Sequence, residues 1–188
     1  MTAAYDMSAR STRILRTAGW SLAAGLLALP AIAMMAGADG VNWTASDFVF
    51  AGVFFAVIGG IFEVAARASR NLAYRVATVF AVASAFFQIW INLAVGIIGN
   101  EDNPANWTYF AVVLAAISGA VVALGDPRNL ARAMWLTAGL QVAFSILHAS
   151  NGTPTLVIDA FFAALWIAAG RLWLRAAHQR DQHTVTAG

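Results

Sequence analysis

The sequence has no cysteine and no lysine, and charged residues of either sign are scarce. The absence of cysteine excludes disulfide bonds, thiolate metal sites, iron–sulfur clusters and thiol nucleophiles. Charged residues make up 11% of the chain, against about 25% in an ordinary soluble domain. The chain is also 61% hydrophobic, with a mean hydropathy of +0.71. This composition predicts a polytopic membrane protein.

Six apolar runs are each long enough to cross about 30 Å of hydrocarbon as an α-helix. Their predicted bounds are 14–36, 44–65, 74–99, 104–124, 130–150 and 154–174. The first run follows basic residues, as in a signal peptide, but it is longer than the usual apolar core of such a peptide. We therefore interpret it as an uncleaved first span. Residues 1–12 and 175–188 are predicted to be polar tails.

The arginines predict how these helices are oriented. With six spans, all eleven arginines fall on one side of the membrane, and the loops 38–43, 100–103 and 151–153 on the other side contain none. Cytoplasmic loops are enriched in basic residues, so both termini are predicted to be cytoplasmic, and the three loops are predicted to face the periplasm or cell exterior. The sequence pI is about 9.7, but arginines at the ends of spans argue against a nucleic-acid partner.

Short motifs recur at equivalent positions in the predicted topology. Asn-X-Thr occurs in each outer connection, at Asn42–Thr44, Asn106–Thr108 and Asn151–Thr153, and Arg-Asn-Leu-Ala occurs in two inner connections, at 70–73 and 128–131. The recurrence predicts an all-α fold of three tandem helical hairpins related by parallel repetition. Asn-X-Thr matches a glycosylation sequon, but we favour helix capping because Asn and Thr are good N-cap residues.

Two lines of small residues at four-residue spacing permit close helix contact. They are Gly52, Ala56 and Gly60 in the second run, and Ala115, Gly119 and Ala123 in the fourth. Beyond the lipid bilayer itself, we predict that one of these lines contacts a membrane-protein partner or a second copy of the chain.

The most polar connection is the segment 99–108, which contains Glu101 and Asp102. Asn103 followed by Pro104 predicts a helix start, where acidic side chains are favoured by the helix dipole. A structural turn accounts for most of the segment. The alternative is that Glu101 and Asp102 bind a cation through their oxygen atoms, although the segment lacks the Asp-X-Asp spacing typical of such sites.

A carboxylate and a histidine are predicted to lie within the apolar zone. If the sixth helix starts near Pro154, Asp159 lies beyond its first turn, where capping does not explain it and an unpaired carboxylate is costly. His148 is close to the end of the preceding span, and a short connection brings the two side chains to one level. We predict a hydrogen-bonded pair, with Gln88 or Asn92 as further partners. An interhelical contact that fixes packing is favoured over a ligand site.

Polar residues also follow single faces of the third and fifth runs. They are Ser84, Gln88 and Asn92 on the third, and Thr137, Gln141, Ser145 and His148 on the fifth. These faces either line a narrow polar cavity or join the two helices. One intramembrane histidine cannot form a multi-histidine metal cage, so no metal site is predicted.

Two segments resemble a group of small, uncharacterised bacterial inner-membrane proteins of similar length. They are Val41–Thr44 and Gly96–Asn106, the latter reading GIIGNEDNPAN. The resemblance covers most of the transmembrane region. It implies a multi-pass protein of the bacterial inner membrane with six spans, and it implies no functional residues.

Three classes of function follow. A non-enzymatic accessory subunit of a membrane complex, or a small homo-oligomer, is favoured. The alternative is a small transporter or ligand-binding protein with an outward-facing pocket built from Gln88, Asn92, Glu101, Asp102, His148 and Asp159. An intramembrane enzyme using His148 and Asp159 as an acid/base pair is least favoured, since the sequence has no recognisable nucleophile or metal cage. No catalytic residue or cofactor is assigned.

Overall fold

The computed structural model describes residues 9–38 and 41–186. These residues form six α-helices and a short 3-10 helix, without a β-strand. The helices are α1 (Ala9–Met35), α2 (Ala45–Ala68), α3 (Leu72–Ala94), the 3-10 helix η1 (Pro104–Asn106), α4 (Trp107–Val122), α5 (Pro127–Ser150) and α6 (Leu156–Thr186). With η1 extending α4, all six are long and apolar enough to cross a membrane. The predicted all-α fold with six such helices is confirmed.

The predicted C-terminal tail is helical as far as Thr186, because α6 continues beyond its apolar run. Ala177 is fully buried. Gln179 Oε1 accepts a hydrogen bond of 2.7 Å from Asn71 Nδ2 at the start of α3. Packing on α3 therefore stabilises this polar part of α6. Of the predicted N-terminal tail, residues 9–12 belong to α1, and residues 1–8 lie outside the described part of the chain.

The chain divides into two compact units, which we describe separately: a two-helix unit of α1 and α2, and a four-helix unit of α3 to α6. In the two-helix unit, Arg16 Nε donates to Glu63 Oε1 at 2.5 Å, which joins α1 to α2. A Cβ atom added to Gly59 would lie 2.4 Å from the Trp20 ring. A glycine at this position therefore lets Trp20 pack directly on the α2 backbone.

A capping box starts α2. The Thr44 backbone N–H donates to Asp47 Oδ2 at 2.7 Å, and the Asp47 backbone N–H points back at Thr44 Oγ1 at 3.4 Å. These reciprocal bonds satisfy two backbone donors that a helix start otherwise leaves unpaired. The predicted capping role of the first Asn-X-Thr motif is confirmed for its threonine.

In the four-helix unit, α6 packs against α3 and α5, and α4 packs against the same two helices. The largest fully buried apolar side chains are Trp166, Phe162 and Met134. A Cβ atom added to Gly119 of α4 would lie 2.7 Å from the Cβ atom of Ala133 on α5. The small-residue line of α4 therefore provides a close helix contact within the chain.

Asp126 caps the start of α5, outside the predicted spans. Its Oδ1 accepts hydrogen bonds of 3.0 Å from the backbone N–H groups of Asn129 and Arg128, and Arg180 donates to Oδ2 at 3.1 Å. The hydrogen bond from the Asn129 N–H lowers the pKa of Asp126 most. Desolvation opposes it, but the bonds and positive charge of Arg180 and the Arg128 N–H keep the pKa below its ordinary value. Arg128 also pairs with Asp181, so ion pairs link α6 to the start of α5.

Candidate functional site

Buried polar side chains extend along the inside of the four-helix unit. Ten of them have at most 6% of their surface exposed: Thr78, Ser84, Gln88, Asn92, Asn106, Thr137, Gln141, Ser145, His148 and Asp159. The two polar faces predicted on α3 and α5 are both included. In an apolar core, each such group needs a hydrogen-bond partner, so their contacts define the candidate site.

Asp159 accepts two hydrogen bonds from side chains in the core. Gln141 Nε2 donates to Oδ1 at 2.8 Å, and Thr155 Oγ1 donates to Oδ2 at 2.5 Å. Because α6 begins at Leu156 rather than near Pro154, Asp159 lies in the first helical turn. This corrects the prediction that it lies beyond that turn. The positive end of the helix dipole favours a carboxylate there.

His148 joins α5 to both α4 and the start of α6. Its Nδ1 lies 3.2 Å from Thr155 Oγ1, and its Nε2 lies 3.0 Å from Thr108 Oγ1. The direct distance from His148 Nδ1 to Asp159 Oδ2 is 3.8 Å, which is beyond hydrogen-bond range. The structure therefore brings together the predicted histidine and aspartate, but a threonine hydroxyl bridges them.

The two predicted partners on α3 have different positions. Gln88 Nε2 donates to Gln141 Oε1 at 3.0 Å, so Gln88 reaches Asp159 through Gln141. Asn92 instead donates to the Gln88 carbonyl at 2.7 Å and accepts from the Ile97 backbone N–H at 3.4 Å, which stabilises the end of α3. We call the connected side chains the polar network: Gln88, Gln141, Asp159, Thr155, His148 and Thr108.

In the described part of the four-helix unit, four buried side-chain atoms have no hydrogen-bond partner: Gln88 Oε1, Tyr109 Oη, Trp166 Nε1 and Trp173 Nε1. The Tyr109 ring lies beside that of His148, with the two ring centroids 5.6 Å apart. Trp166 and Trp173 follow Asp159 at seven-residue intervals, which places all three on one face of α6. Buried polar atoms without a protein partner mark positions where water or a polar ligand can bind.

The turn between α3 and η1 is held by Asn106. Its Oδ1 accepts from the Ile98 N–H at 2.9 Å, and its Nδ2 donates to the Asn100 carbonyl at 2.7 Å. Gly96 has a φ of +71°, and a Cβ atom there would lie 2.3 Å from the Asn100 carbonyl. Since only glycine fits this close approach, α3 ends at Ala94 rather than at residue 99 as predicted.

The three Asn-X-Thr motifs have different roles. Asn106 precedes α4 but makes no capping bond through its side chain, and Asn151 ends α5 as its C-cap. The prediction that a helix start explains the motif is therefore wrong for both asparagines, because their backbones belong to a 3-10 helix and to a helix end. In the second motif, the Thr108 hydroxyl contacts His148. Of the three motifs, the first has the predicted role in helix capping, through Thr44.

Glu101 and Asp102 are exposed in the turn before η1. In the described chain they form no hydrogen bond or ion pair with the polar network. Within residues 9–38 and 41–186, no group of three or more His, Asp or Glu side chains could hold a metal ion. The structure therefore separates these two residues from the other four predicted site residues.

Thr108, Tyr109 and Thr155 were not predicted as part of the site. Thr155 lies four residues before Asp159, a spacing from which the contact could have been predicted. No spacing pattern in the sequence links Thr108 or Tyr109 to His148, because they contact it across the α4–α5 interface.

No family model, curated protein or solved structure matches the chain.

Proposed function

We propose that the protein is a small, non-enzymatic membrane protein that binds a small polar solute or ion within its four-helix unit and carries it across the bilayer. The observation that carries the proposal is a buried carboxylate, Asp159, with unpartnered polar atoms of Gln88 and Tyr109 close by. Ionisable residues within membrane spans are costly and are typical of substrate and ion pathways.

The length of the polar interior supports transport in addition to binding. On α3, buried polar positions extend from Thr78 to Asn92, and on α5 they extend from Thr137 to His148. The unpartnered Trp166 N–H lies on the same face of α6 as Asp159. Polar groups therefore occur at successive levels of the unit, as a path for a hydrated solute requires.

Cellular location follows from the placement of arginine. All eleven arginines are on the predicted cytoplasmic side, and the resemblance to bacterial inner-membrane proteins supports a plasma membrane of that kind. Under this orientation, the end of the four-helix unit that carries η1 faces the periplasm or cell exterior. We therefore expect solute to enter the site from that end.

Stopped-flow permeation into proteoliposomes tests this function. The probes are water, glycerol, urea and ammonium chloride, each compared with protein-free vesicles. We expect at least one probe to enter several-fold faster with the protein present, and we expect Asp159→Asn to lower that rate. Ser150→Ala is the control, because its exposed hydroxyl bonds the Leu147 carbonyl at 2.8 Å within α5, outside the polar interior. Equal rates for all probes with and without protein would contradict the proposal.

The second candidate is an accessory subunit of a membrane complex or a small homo-oligomer. It is favoured by the small-residue line of α2, where Ala56 is exposed and a Cβ atom added to Gly60 would meet no atom within 4 Å. Such a surface permits close approach of another helix. Native mass spectrometry of Gly60→Leu tests it. Loss of a dimer or of a copurifying membrane protein supports the candidate, and a monomer in both wild type and variant contradicts it.

A further inference from the structure

We propose that His148 and Asp159 share one proton through the hydroxyl of Thr155, which makes the polar network a buried proton-binding site. The inference rests on the proposed function, because it identifies the proton as an ion that this site holds. Thr155 Oγ1 lies 2.5 Å from Asp159 Oδ2 and 3.2 Å from His148 Nδ1. Since the direct distance of 3.8 Å is too long for transfer, the hydroxyl is the bridge.

In a first state, the pair is ionised. In this state Thr108 Oγ1 donates to the Ala105 carbonyl at 2.7 Å and accepts a hydrogen bond from His148 Nε2. Thr155 donates to the Asp159 carboxylate, so it accepts from His148 Nδ1. A hydroxyl has one proton to donate, and a histidine that donates from both nitrogens is an imidazolium. The positive imidazolium and negative carboxylate balance each other in the apolar core.

In a second state, the pair is neutral. Asp159 carries the proton on Oδ2 and donates it to Thr155 Oγ1, and the Thr155 hydroxyl donates to His148 Nδ1. His148 Nε2 still donates to Thr108, and Thr108 still donates to Ala105. The hydrogen bonds that join Asp159 Oδ2, Thr155, His148 and Thr108 are all made in this state too, so the heavy-atom geometry fits both states.

One concerted step connects the two states. The His148 Nδ1–H bond breaks as a new O–H bond forms on Thr155, and the original Thr155 O–H bond breaks as an O–H bond forms on Asp159 Oδ2. The number of protons on the pair does not change, and no other reactant is needed. The equilibrium between the two states is therefore independent of pH as long as the pair holds its proton.

The surroundings favour retention of this proton. If it were lost while Asp159 stayed ionised, the apolar core would hold a carboxylate without a balancing positive charge. From α4, the titratable group that faces the pair is Tyr109. From α3, the neutral amide of Gln88 reaches Asp159 through Gln141.

Solid-state NMR of the full chain in lipid bilayers, labelled with ¹⁵N-histidine and ¹³C-aspartate, tests the inference. Signals of His148 and Asp159 are assigned by their loss in His148→Gln and Asp159→Asn. As temperature changes at constant pH, we expect the carboxylic-acid fraction of Asp159 to equal the Nδ1-deprotonated fraction of His148. A structural contact alone would keep both groups in one state.

Thr155→Val and Thr155→Ser test the bridge. Valine keeps the shape of the side chain without the hydroxyl, so we expect the coupled change to disappear, and serine should restore it. A single fixed protonation state of His148 and Asp159 in the wild type would overturn the inference, and this result does not depend on whether Thr155→Val folds. If Thr155→Val does fold, a linked protonation change of the two residues that persists in it would also overturn the inference. Permeation without coupled protonation rejects this inference alone, and coupled protonation without permeation rejects the transport proposal alone.

Discussion

Gln141 is the side chain whose replacement best tests the polar network. Its amide accepts from Gln88 at 3.0 Å and donates to Asp159 at 2.8 Å, and the side chain is fully buried. Gln141→Leu removes both bonds with little change of volume, so it leaves the Gln88 amide N–H and the Asp159 Oδ1 without these partners. Gln88→Leu breaks one of the two bonds and leaves the bond to Asp159 intact.

The two variants should differ in their cost to stability. A neutral amide bond contributes about 1 kcal/mol, and polar contacts measured within membranes average roughly 0.6 kcal/mol. We therefore expect Gln88→Leu to lower the free energy of unfolding by about 1 kcal/mol. A bond to a carboxylate contributes about 1.5–3 kcal/mol, so Gln141→Leu should cost about 3 kcal/mol in total.

Reversible unfolding by SDS in mixed micelles measures these differences. The double variant Gln88→Leu/Gln141→Leu should be no less stable than Gln141→Leu, because the amide left unpaired in the single variant is gone. Ser84→Ala is the control and should cost less than about 1 kcal/mol. An equal cost for the two single variants, or a double variant whose cost is their sum, would refute the connection from Gln88 to Asp159.

Other substitutions test the fold around the site. Gly119→Ala should lower the free energy of unfolding by about 1–2 kcal/mol because its methyl group meets Ala133, whereas Gly139→Ala, which has open space, should be neutral or stabilising by up to about 1 kcal/mol in the same assay. Asn106→Ala should cost about 2 kcal/mol locally, and amide hydrogen exchange of the turn before η1 should become about 30-fold faster. The lowered pKa of Asp126 gives a stabilisation that is complete above the ordinary aspartate pKa and is lost as pH falls through the lowered value, so melting curves of Asp126→Asn should show a smaller loss of thermal stability below about pH 4.

The polar network shows why the site was predicted in part. Gln88 and His148 lie on helical faces that the three-and-four spacing reveals, because a helix places such residues on one side whatever surrounds it. Their partners Thr108 and Tyr109 belong to a different helix, and helical spacing carries no information about which helices pack together. Thr155 was missed although it lies four residues before Asp159, because the partners expected for Asp159 were on other helices.

The segment after residue 175 also shows that local sequence pattern does not reveal which residues pack together. Residues after 175 are polar, and polarity predicts an exposed tail when burial is judged from hydropathy alone. The Asn71–Gln179 hydrogen bond and the buried Ala177 extend α6 beyond its apolar run. A contact between residues more than 100 positions apart decides this, and local pattern cannot reveal it.

The sequence by itself determined that this is an all-helical chain with six helices able to cross a membrane, because hydrophobic length and the cost of an unpaired backbone in lipid leave few other folds. It also determined which faces of α3 and α5 are polar. The tertiary structure alone decided that Thr155, just before α6, bridges His148 and Asp159, and that Thr108 of α4 contacts His148. The physical reason is that a hydrogen bond requires atoms within about 3 Å, and that distance depends on how helices pack.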